Sequence, residues 1–358
     1  MPSSPLPDGP GQLAVHLLDQ AEACGRLGSP LYDRLLRGLA ADLQERGVLA
    51  EVLEDHRGAA RDDLVPLRLL GGVHHLVLTG RAPRLARQYP SVGGTPDDDL
   101  LPAFLAALQE HAEEVRPWFA SAPQTNEVGR STALVGGLLL LLDGRDLPVR
   151  LYETGASAGL NLHADRFRHQ VAASGRWWGP DSSPVALEDA WQGAAPDPGA
   201  PLRIIERHGS DIAPLDLTVP GAPDRLLAYV WPDQTARVAR LRAALAVAAA
   251  HPQPVARLGA ADAVRAMTLA PGHLTVLWHS IMWQYVPAAE QAAAEDALAA
   301  LGATATDDAL LVRLSLEPAT PEDGPAADFV VSATVWPGGA RQLLGRASPH
   351  GPPVTWLG

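Results

Sequence analysis

The residues best suited to chemistry in this chain of 358 residues follow one short apolar run near its middle. Glu153 ends that run, and Gly155, Ser157, Gly159 and Asn161 follow at alternate positions. Because small residues let the backbone approach a ligand and a carboxylate binds its polar groups, the pattern is typical of a nucleotide-type cofactor site. The same stretch contains Gly-x-Ser-x-Gly, the turn that presents a serine nucleophile in α/β hydrolases. The turn therefore indicates either of two unrelated enzymes.

The elements that must position this turn are predicted to be strands alternating with helices. After about residue 123 the sequence changes from helical spacing to short β-type runs separated by helical ones. This alternation predicts a mostly parallel sheet with helices on both faces. The predicted strands are 149–153, 202–206, 226–230, 274–279 and 310–316. Residues 329–336 and 341–346 are predicted to form an antiparallel hairpin at the sheet edge.

Further candidate residues follow the predicted strands, because the ligand of an open parallel sheet lies beyond the carboxyl ends of its strands. Glu206 ends the second strand, where an acid suits a ribose diol, and Asp262 follows a later segment, where it suits an adenine amino group. His279 and Tyr285 follow the next strand and are the candidate catalytic residues, with His279 as general base. Trp283 lies between them and is a candidate substrate contact.

Two other segments contain candidate substrate contacts. Asn126 and Arg130 precede the first strand, and Arg130 is suited to a ligand carboxylate. Trp231 and Asp233 follow the predicted strand 226–230, where an indole ring can stack on a substrate.

The acid that would hold a ribose has more than one candidate. Glu206 lies much further from Gly159 than the roughly 20 residues expected between a glycine turn and its ribose acid. A Gly-, Pro- and Trp-rich insert at about 172–200 must therefore loop out for Glu206 to serve. Asp211 and Asp233 are left open as alternatives.

Four segments carry a resemblance to known proteins: 124–131, 153–162, 229–234 and 279–285. With them the chain resembles an uncharacterised bacterial family, domain-of-unknown-function family 2332, over nearly its whole length. The order of segments across 123–350 also resembles the class I S-adenosylmethionine-dependent methyltransferases. This second resemblance implies a doubly wound, Rossmann-like sheet with an antiparallel C-terminal hairpin, and S-adenosylmethionine as cofactor.

The chain departs from the methyltransferase pattern at two places. Ser157 replaces the middle glycine of the turn, and it is small enough to be tolerated. His279 and Ser280 stand where amino-group methylators have Asn-Pro-Pro and an aromatic residue, so the acceptor stays open. The cofactor contacts implied are the turn residues with Glu206 and Asp262.

Helical spacing of leucines, as in 31–43 and 100–108, predicts that residues 1–122 form a helical cap. Residues 123–358 are then the Rossmann-like domain. The cap is expected to cover the pocket and select the acceptor.

Composition excludes several classes of protein. A net charge of -13 argues against a nucleic-acid or anionic-membrane partner. A single cysteine, Cys24, excludes an internal disulfide framework and a cysteine-based zinc cluster, and no metal site is predicted. No secretory signal is visible, and the apolar run 133–142 is too short to span a bilayer. A cytoplasmic location is expected, and the sequence does not predict the oligomeric state.

Three functions are compatible with these residues. The first is a methyltransferase acting on an oxygen or nitrogen of a small molecule. The second is a serine hydrolase using Ser157 with His279 or His350 and an aspartate, although no His-Gly-Gly oxyanion loop precedes the motif. The third is a non-enzymatic ligand-binding protein on the same fold.

Overall fold

A computed structural model describes residues 10–325 and 328–358. The chain divides into two compact units. The first contains the chain up to Thr125 together with Pro220–Ala239, and the second contains Asn126–Val219 with Arg240–Gly358. The segment 220–239, which the sequence placed in the second domain, thus belongs to the unit of the N-terminal helices.

The described helices are mostly short. The α-helices are α1 (Pro10–Arg26), α2 (Pro30–Gln44), α3 (Val48–Val52), α4 (Val65–Leu78), α5 (Pro83–Ala86), α6 (Leu100–Glu110), α7 (Ala112–Val115), α8 (Ser131–Leu142), α9 (Ala222–Ala228), α10 (Thr235–Ala250), α11 (Ala260–Arg265) and α12 (Ala288–Gly302). The 3-10 helices are Glu54–His56, Arg61–Asp63, Pro90–Val92, Arg116–Ala120, Val128–Arg130, Leu160–Arg166 and Trp283–Tyr285. Within the described ranges, no helix is both long enough and apolar enough to cross a membrane.

The first unit is helical, as the leucine spacing predicts. All five leucines of the α2 stripe are buried. Pro30 begins this helix at a position where its missing N–H is not needed. Ser29 caps α2 by accepting a hydrogen bond from the Tyr32 N–H at 3.3 Å. Asp233 accepts hydrogen bonds from the Ser29 hydroxyl at 2.6 Å and from the Leu31 N–H at 2.9 Å, which fixes the start of the helix.

The predicted strand 226–230 is wrong, because this stretch lies in α9 and the turn after it. Gly221 has φ of +83° and Pro223 occupies the first turn, and both favour a helix start. Leu226 and Leu227 are buried. A short apolar run of this kind cannot be assigned to strand or helix by periodicity alone.

The second unit contains an 11-stranded sheet, so the chain has a mixed α/β fold. Its strands are β1 (Val149–Thr154), β2 (Arg168–Val171), β3 (Trp177–Trp178), β4 (Ala186–Gly193), β5 (Ile204–Asp211), β6 (Val255–Arg257), β7 (His273–Ser280), β8 (Ala309–Pro318), β9 (Phe329–Trp336), β10 (Ala340–Ser348) and β11 (Gly351–Trp356). The strand order is β3-β2-β4-β11-β10-β9-β8-β7-β1-β5-β6. Most neighbouring pairs are parallel.

The parallel half of the sheet runs β6-β5-β1-β7-β8. Strands β1, β5 and β6 follow one another in one direction, and the chain then returns to the other side of β1 to form β7 and β8. The order therefore reverses between β1 and β7. All six residues of β1 are buried, as expected for a central strand covered on both faces. The predicted strands 149–153, 274–279 and 310–316 are confirmed.

The sheet's other half differs from the sequence analysis in two respects. The insert at about 172–200 does not loop out, as the assignment of Glu206 to a ribose required, because it forms β3 and β4, and β4 pairs with β2 and β11. Trp191 in β4 is fully buried, and its indole N–H donates to the Thr132 carbonyl of α8 at 2.9 Å. As a result the hairpin β9–β10 lies inside the sheet rather than at its edge.

Helices pack on both faces of this sheet. In α8, Gly137 lies against the Leu314 side chain of β8. Leu311, on the opposite face of the same strand, packs in a cluster with Val264 of α11 and Leu298 of α12. The apolar core of this unit therefore has one layer on each side of the central strands.

Candidate functional site

The strand order places the end of β1 beside the end of β7, where the order of the parallel strands reverses. Glu153 is in register with Gly209 of β5 on one side and with Trp278 of β7 on the other. In open parallel sheets the ligand crevice lies at such a reversal, outside the carboxyl ends of the strands. The turn predicted from the sequence thus lies where a ligand site is expected.

Residues 155–159, called the glycine turn below, have an unusual backbone. Gly155, Ser157 and Gly159 have φ of +72°, +53° and +75°, a region in which a serine is uncommon. The Ser157 N–H donates to Asp211 Oδ2 at 2.9 Å, and the Ser157 carbonyl accepts from the Leu215 N–H at 3.1 Å. The end of β5 and the loop after it therefore hold the glycine turn in place.

The two glycines also make close contacts within the protein. A Cβ atom at Gly155 would lie 2.7 Å from Cγ of Met282, and one at Gly159 would lie 3.0 Å from Cγ2 of Val255. Both positions therefore require glycine for packing as well as for their positive φ.

The chain does not enter an α-helix after the glycine turn. Leu160–Arg166 is a 3-10 helix interrupted at His163. Asn126 Oδ1 accepts from the Leu160 N–H at 2.8 Å, and the Asn161 side-chain amide donates to the Glu127 carbonyl at 3.3 Å. The chain's two asparagines therefore join the segment before α8 to the segment after the glycine turn.

Glu153 has a strongly perturbed pKa. Its side chain is buried, and burial raises the pKa of its carboxyl to about 8. The neighbouring Asn161 side chain and the positive charge of Arg130 act in the opposite direction, but burial is stronger. At pH 7 this carboxyl is mostly protonated.

Several buried polar atoms near Glu153 have no hydrogen-bond partner among the described residues. They are Glu153 Oε2, Ser157 Oγ and Asn161 Oδ1, while the Trp278 indole N–H acts on the Glu153 carboxyl and lowers its pKa. Most buried polar groups in proteins are satisfied, and a buried group without a partner is costly. Three such atoms at and after the end of β1 indicate a place where a polar ligand supplies the missing partners.

Arg130 lies beside this polar cluster. Its Nε donates to the Pro349 carbonyl at 3.1 Å and its Nη1 donates to the Ser280 carbonyl at 3.2 Å. The side chain thus ties the end of β7 to the β10–β11 connection. It also contributes positive charge at Glu153.

Glu127 and Arg240 belong to the same region and were missed by the sequence analysis. Glu127 is buried, and its Oε1 accepts from the Gly129 N–H at 3.0 Å and lies 3.6 Å from Nη1 of Arg240. Its Oε2 lies 3.9 Å from Nδ1 of His350. The neighbouring candidate Asn126 could have drawn attention to Glu127 as a site residue. Nothing in the sequence marks Arg240 as one.

The three acids considered for a ribose are separated by the structure. Glu206 lies inside β5, in register with Arg150, and accepts a hydrogen bond from its Nε at 2.8 Å. This contact lowers the pKa of Glu206. Asp211 ends β5 and touches the glycine turn. Asp233 belongs to the first unit and caps α2. The sequence analysis placed Glu206 at the end of the second strand as the ribose acid. In the structure Asp211 occupies that position at the end of β5.

His279 is engaged on both sides of its ring. It is fully buried, its Nδ1 lies 2.8 Å from Glu317 Oε1, and its Nε2 accepts from Nε of Arg313 at 3.0 Å. The ring must therefore be neutral with its proton on Nδ1, in line with the lowering of its pKa by burial. This geometry favours a positioning role over the general base predicted from the sequence.

The other predicted residues are distributed around the sheet edge and the first unit. Trp283 stacks on His279 with ring centroids 5.0 Å apart, while Tyr285 is 70% exposed. The Asp262 side chain is exposed in the first turn of α11 and pairs with Arg265. Trp231 packs in the core of the first unit.

No group of three or more histidine, cysteine or acidic side chains that could hold a metal ion occurs in the part of the chain that the structure describes.

The fold and site define a mixed α/β protein whose best candidate ligand site lies at a reversal of strand order. The chain belongs to a bacterial family, the domain of unknown function 2332, described as an uncharacterized protein conserved in bacteria, whose sequence profile matches residues 14–356. No curated protein and no solved structure matches the chain. The comparisons thus give a family without an assigned activity.

Proposed function

We propose that this protein binds S-adenosylmethionine at the glycine turn and transfers its methyl group to an oxygen or nitrogen of a small molecule. The observation that carries the proposal is the position of the turn. It lies at the strand-order reversal, with Glu153 at the end of β1 and Asp211 at the end of β5. In Rossmann-like sheets this place binds nucleotide-type cofactors, and the acid after the second strand binds the ribose.

The residues present fit such a cofactor. Glu153 and Asn161 offer buried oxygens without partners, which suit the ammonium group of the amino-acid part. Asp211 takes the role of ribose acid from Glu206, and Asp262, after the next strand, is kept as the adenine contact. Substrate contacts are assigned to Asn126 and Arg130, at the same edge.

The backbone after the glycine turn favours a cofactor without phosphates. Dinucleotides place their pyrophosphate on the N-terminus of the α-helix that follows the turn. Leu160–Arg166 is a short, interrupted 3-10 helix and offers no such terminus. The chain also has no lysine for a phosphate. A nucleoside attached to an amino acid suits this site better than a dinucleotide.

Bound S-adenosylmethionine supplies an activated methyl group, so the protein's own contribution is to orient and desolvate the acceptor. An acceptor hydroxyl or ammonium group must also lose a proton. His279 is committed to Glu317 and Arg313, so this role passes to His350, whose Nδ1 faces the buried carboxylate of Glu127.

Calorimetric titration with S-adenosylmethionine and S-adenosylhomocysteine tests the proposal. The parent protein is expected to bind both. Asp211→Asn is expected to weaken binding at least about tenfold, the effect of losing a charge-assisted hydrogen bond. Glu206→Gln is the matched control, because it changes an acid of the same strand away from the turn, and it is expected to bind like the parent. Equal affinities for the two variants would remove Asp211 from the site.

One observation favours a second candidate function, a serine hydrolase. Ser157 has φ of +53°, and the nucleophile of an α/β hydrolase sits on a strained turn of this kind. Against it, Ser157 Oγ is buried and makes no hydrogen bond to a histidine among the described residues. A fluorophosphonate probe separates the two functions. Covalent labelling of Ser157 would support the hydrolase, and the methyltransferase proposal requires that none occurs.

A protein that binds the cofactor without turnover is the remaining alternative. It shares the site and the binding result, and only turnover separates it from an enzyme. Methyl-labelled S-adenosylmethionine incubated with a small-molecule extract provides that measurement. Transfer of label into the extract supports the enzyme, and binding without transfer supports the ligand-binding protein.

A further inference from the structure

Met282 lies directly over the glycine turn. A Cβ atom built on Gly155 would be 2.7 Å from Cγ, 3.0 Å from Cβ and 3.3 Å from Cε of Met282. The whole methionine side chain therefore covers the face of Gly155 on which a larger residue, or a ligand, would lie. Met282 itself is only partly buried.

Hydrogen bonds hold the backbone of Met282 in place. Glu317 Oε1 accepts hydrogen bonds from the Met282 N–H at 3.2 Å and from the Trp283 N–H at 3.3 Å. The Gln291 side-chain amide donates to the Trp283 carbonyl at 2.7 Å. Ile281, just before, has φ of +48°. These contacts fix the start of the β7–α12 connection above the end of β1.

We infer that Met282 contacts the cofactor, and that its side chain moves off Gly155 when the cofactor enters. The inference rests on the proposed function, which places the cofactor at the glycine turn. It adds a contact residue from the β7–α12 connection that sequence motifs did not indicate.

The chemistry of methionine suits this role. Its unbranched side chain has three rotatable bonds and changes rotamer more readily than a branched or aromatic one. With the backbone anchored by Glu317, only the side chain needs to move. The displaced thioether then lies against the bound ligand as an apolar, polarizable wall.

Methyl NMR tests the inference on the full chain. The protein has three methionines, so [methyl-13C]methionine labelling gives a simple spectrum. Met282→Leu assigns the Met282 signal, and Met267, which is buried beside α11, is the internal control. On addition of S-adenosylhomocysteine the Met282 methyl signal is expected to shift or broaden, while that of Met267 stays in place.

Calorimetry of Met282→Ala gives the second measurement. Removal of the covering side chain is expected to tighten binding of S-adenosylhomocysteine by about two- to tenfold, since the ligand no longer has to displace a packed side chain and this gain outweighs the lost thioether contact. Met282→Leu keeps the volume and is expected to bind like the parent or more weakly. It also keeps the test available if the alanine variant does not fold.

The outcomes separate this inference from the proposed function. Binding by the parent with an unchanged Met282 signal and unchanged affinity of Met282→Ala refutes the inference and leaves the proposed function standing. Binding by Met282→Ala alone supports both. If no variant binds, the proposed function is refuted, and the role of Met282 is refuted with it.

Discussion

Replacement of the buried acid of the site, Glu153→Gln, is expected to stabilise the fold while removing ligand binding. Burial raises the pKa of Glu153 to about 8 from its ordinary value of 4.5. The folded chain therefore holds a proton that the unfolded chain releases above pH 4.5. Stability falls as pH rises from that value toward about 8.

The size of this effect follows from the two pKa values. A pH of 7 lies about 2.5 units above the pKa of the unfolded carboxyl and still below that of the folded one. Each unit is worth 1.36 kcal/mol, so at pH 7 the acid lowers the free energy of unfolding by about 3 kcal/mol relative to acidic pH. Glutamine has nearly the same shape and no charge to bury. Glu153→Gln should therefore be more stable than the parent by up to about 3 kcal/mol at pH 7 and by little at pH 4.5.

Denaturant unfolding at pH 4.5 and 7, followed by tryptophan fluorescence, checks this expectation. Seven of the nine tryptophans, Trp177, Trp178, Trp191, Trp278, Trp283, Trp336 and Trp356, lie in the unit of the sheet, so the signal reports on that unit. Calorimetry with S-adenosylmethionine on the same samples should show that the stabilised variant no longer binds. A variant that is less stable than the parent at pH 7 would refute the reasoning about Glu153.

Four further expectations concern other residues. Gly155→Val should lose binding of S-adenosylhomocysteine and lower the unfolding free energy by about 1–3 kcal/mol, because the valine side chain would meet Met282 and φ at this position is +72°. Calorimetry and denaturation check this expectation, and parent-like affinity would contradict it. Ser157→Gly should keep binding and raise stability by up to about 1 kcal/mol, because it relieves a positive φ and Oγ has no partner to lose; a loss of stability on denaturation would count against it. His279→Ala should lower stability by about 1–3 kcal/mol by leaving Glu317 and Arg313 without their partner; a stable variant with lost turnover would instead restore the general base. Burial lowers the pKa of His169 to about 3 from 6.5, so its contribution to the free energy of unfolding is fully present above pH 6.5 and is lost as pH falls toward 3. In His169→Phe the free energy of unfolding should therefore fall by about 2–3 kcal/mol less between pH 7 and 4.5 than in the parent. An equal fall in the two proteins, measured by denaturation, would contradict this expectation.

The central part of the fold could be predicted because its signals are local. Composition alone marks 149–153 and 274–279 as strands. The glycines that follow 149–153 mark the end of the first of these strands. The helical stripe of α2 is likewise visible in the spacing of its leucines. The side of the sheet on which each strand pairs depends on distant segments, so the placement of the hairpin β9–β10 could not be derived from spacing.

Errors arose where polar or glycine-rich composition was taken as the end of a strand. β5 continues through Glu206, Arg207 and His208 to Asp211, because Glu206 pairs with Arg150 across the sheet. Such a pairing stabilises polar residues in a strand, and it is invisible in one segment alone. The strand β4 in the insert was not predicted, because its pairing with β2 and β11 is likewise invisible in one segment alone.

Part of the candidate site could be named from the sequence, and its role in binding stays a prediction. Asn126, Arg130, Glu153 and Asn161 were all named from the sequence, and the structure brings them together. The partners of His279 could not be foreseen, because Glu317 and Arg313 lie on another strand. Trp231 and Asp233 follow a short apolar run that was taken for a strand, and they belong to the first unit.

The most direct test of the central claim is calorimetric titration of the parent protein with S-adenosylmethionine at pH 7, in two buffers of different ionisation enthalpy. The account predicts saturable binding with release of about one proton, because a ligand ammonium group beside Glu153 would favour the ionised form of a carboxyl whose pKa is about 8. Glu153→Gln, which is expected not to bind, should give neither binding heat nor proton release. Absence of binding by the parent protein, or binding with the same heat in both buffers, would contradict the assignment of this site.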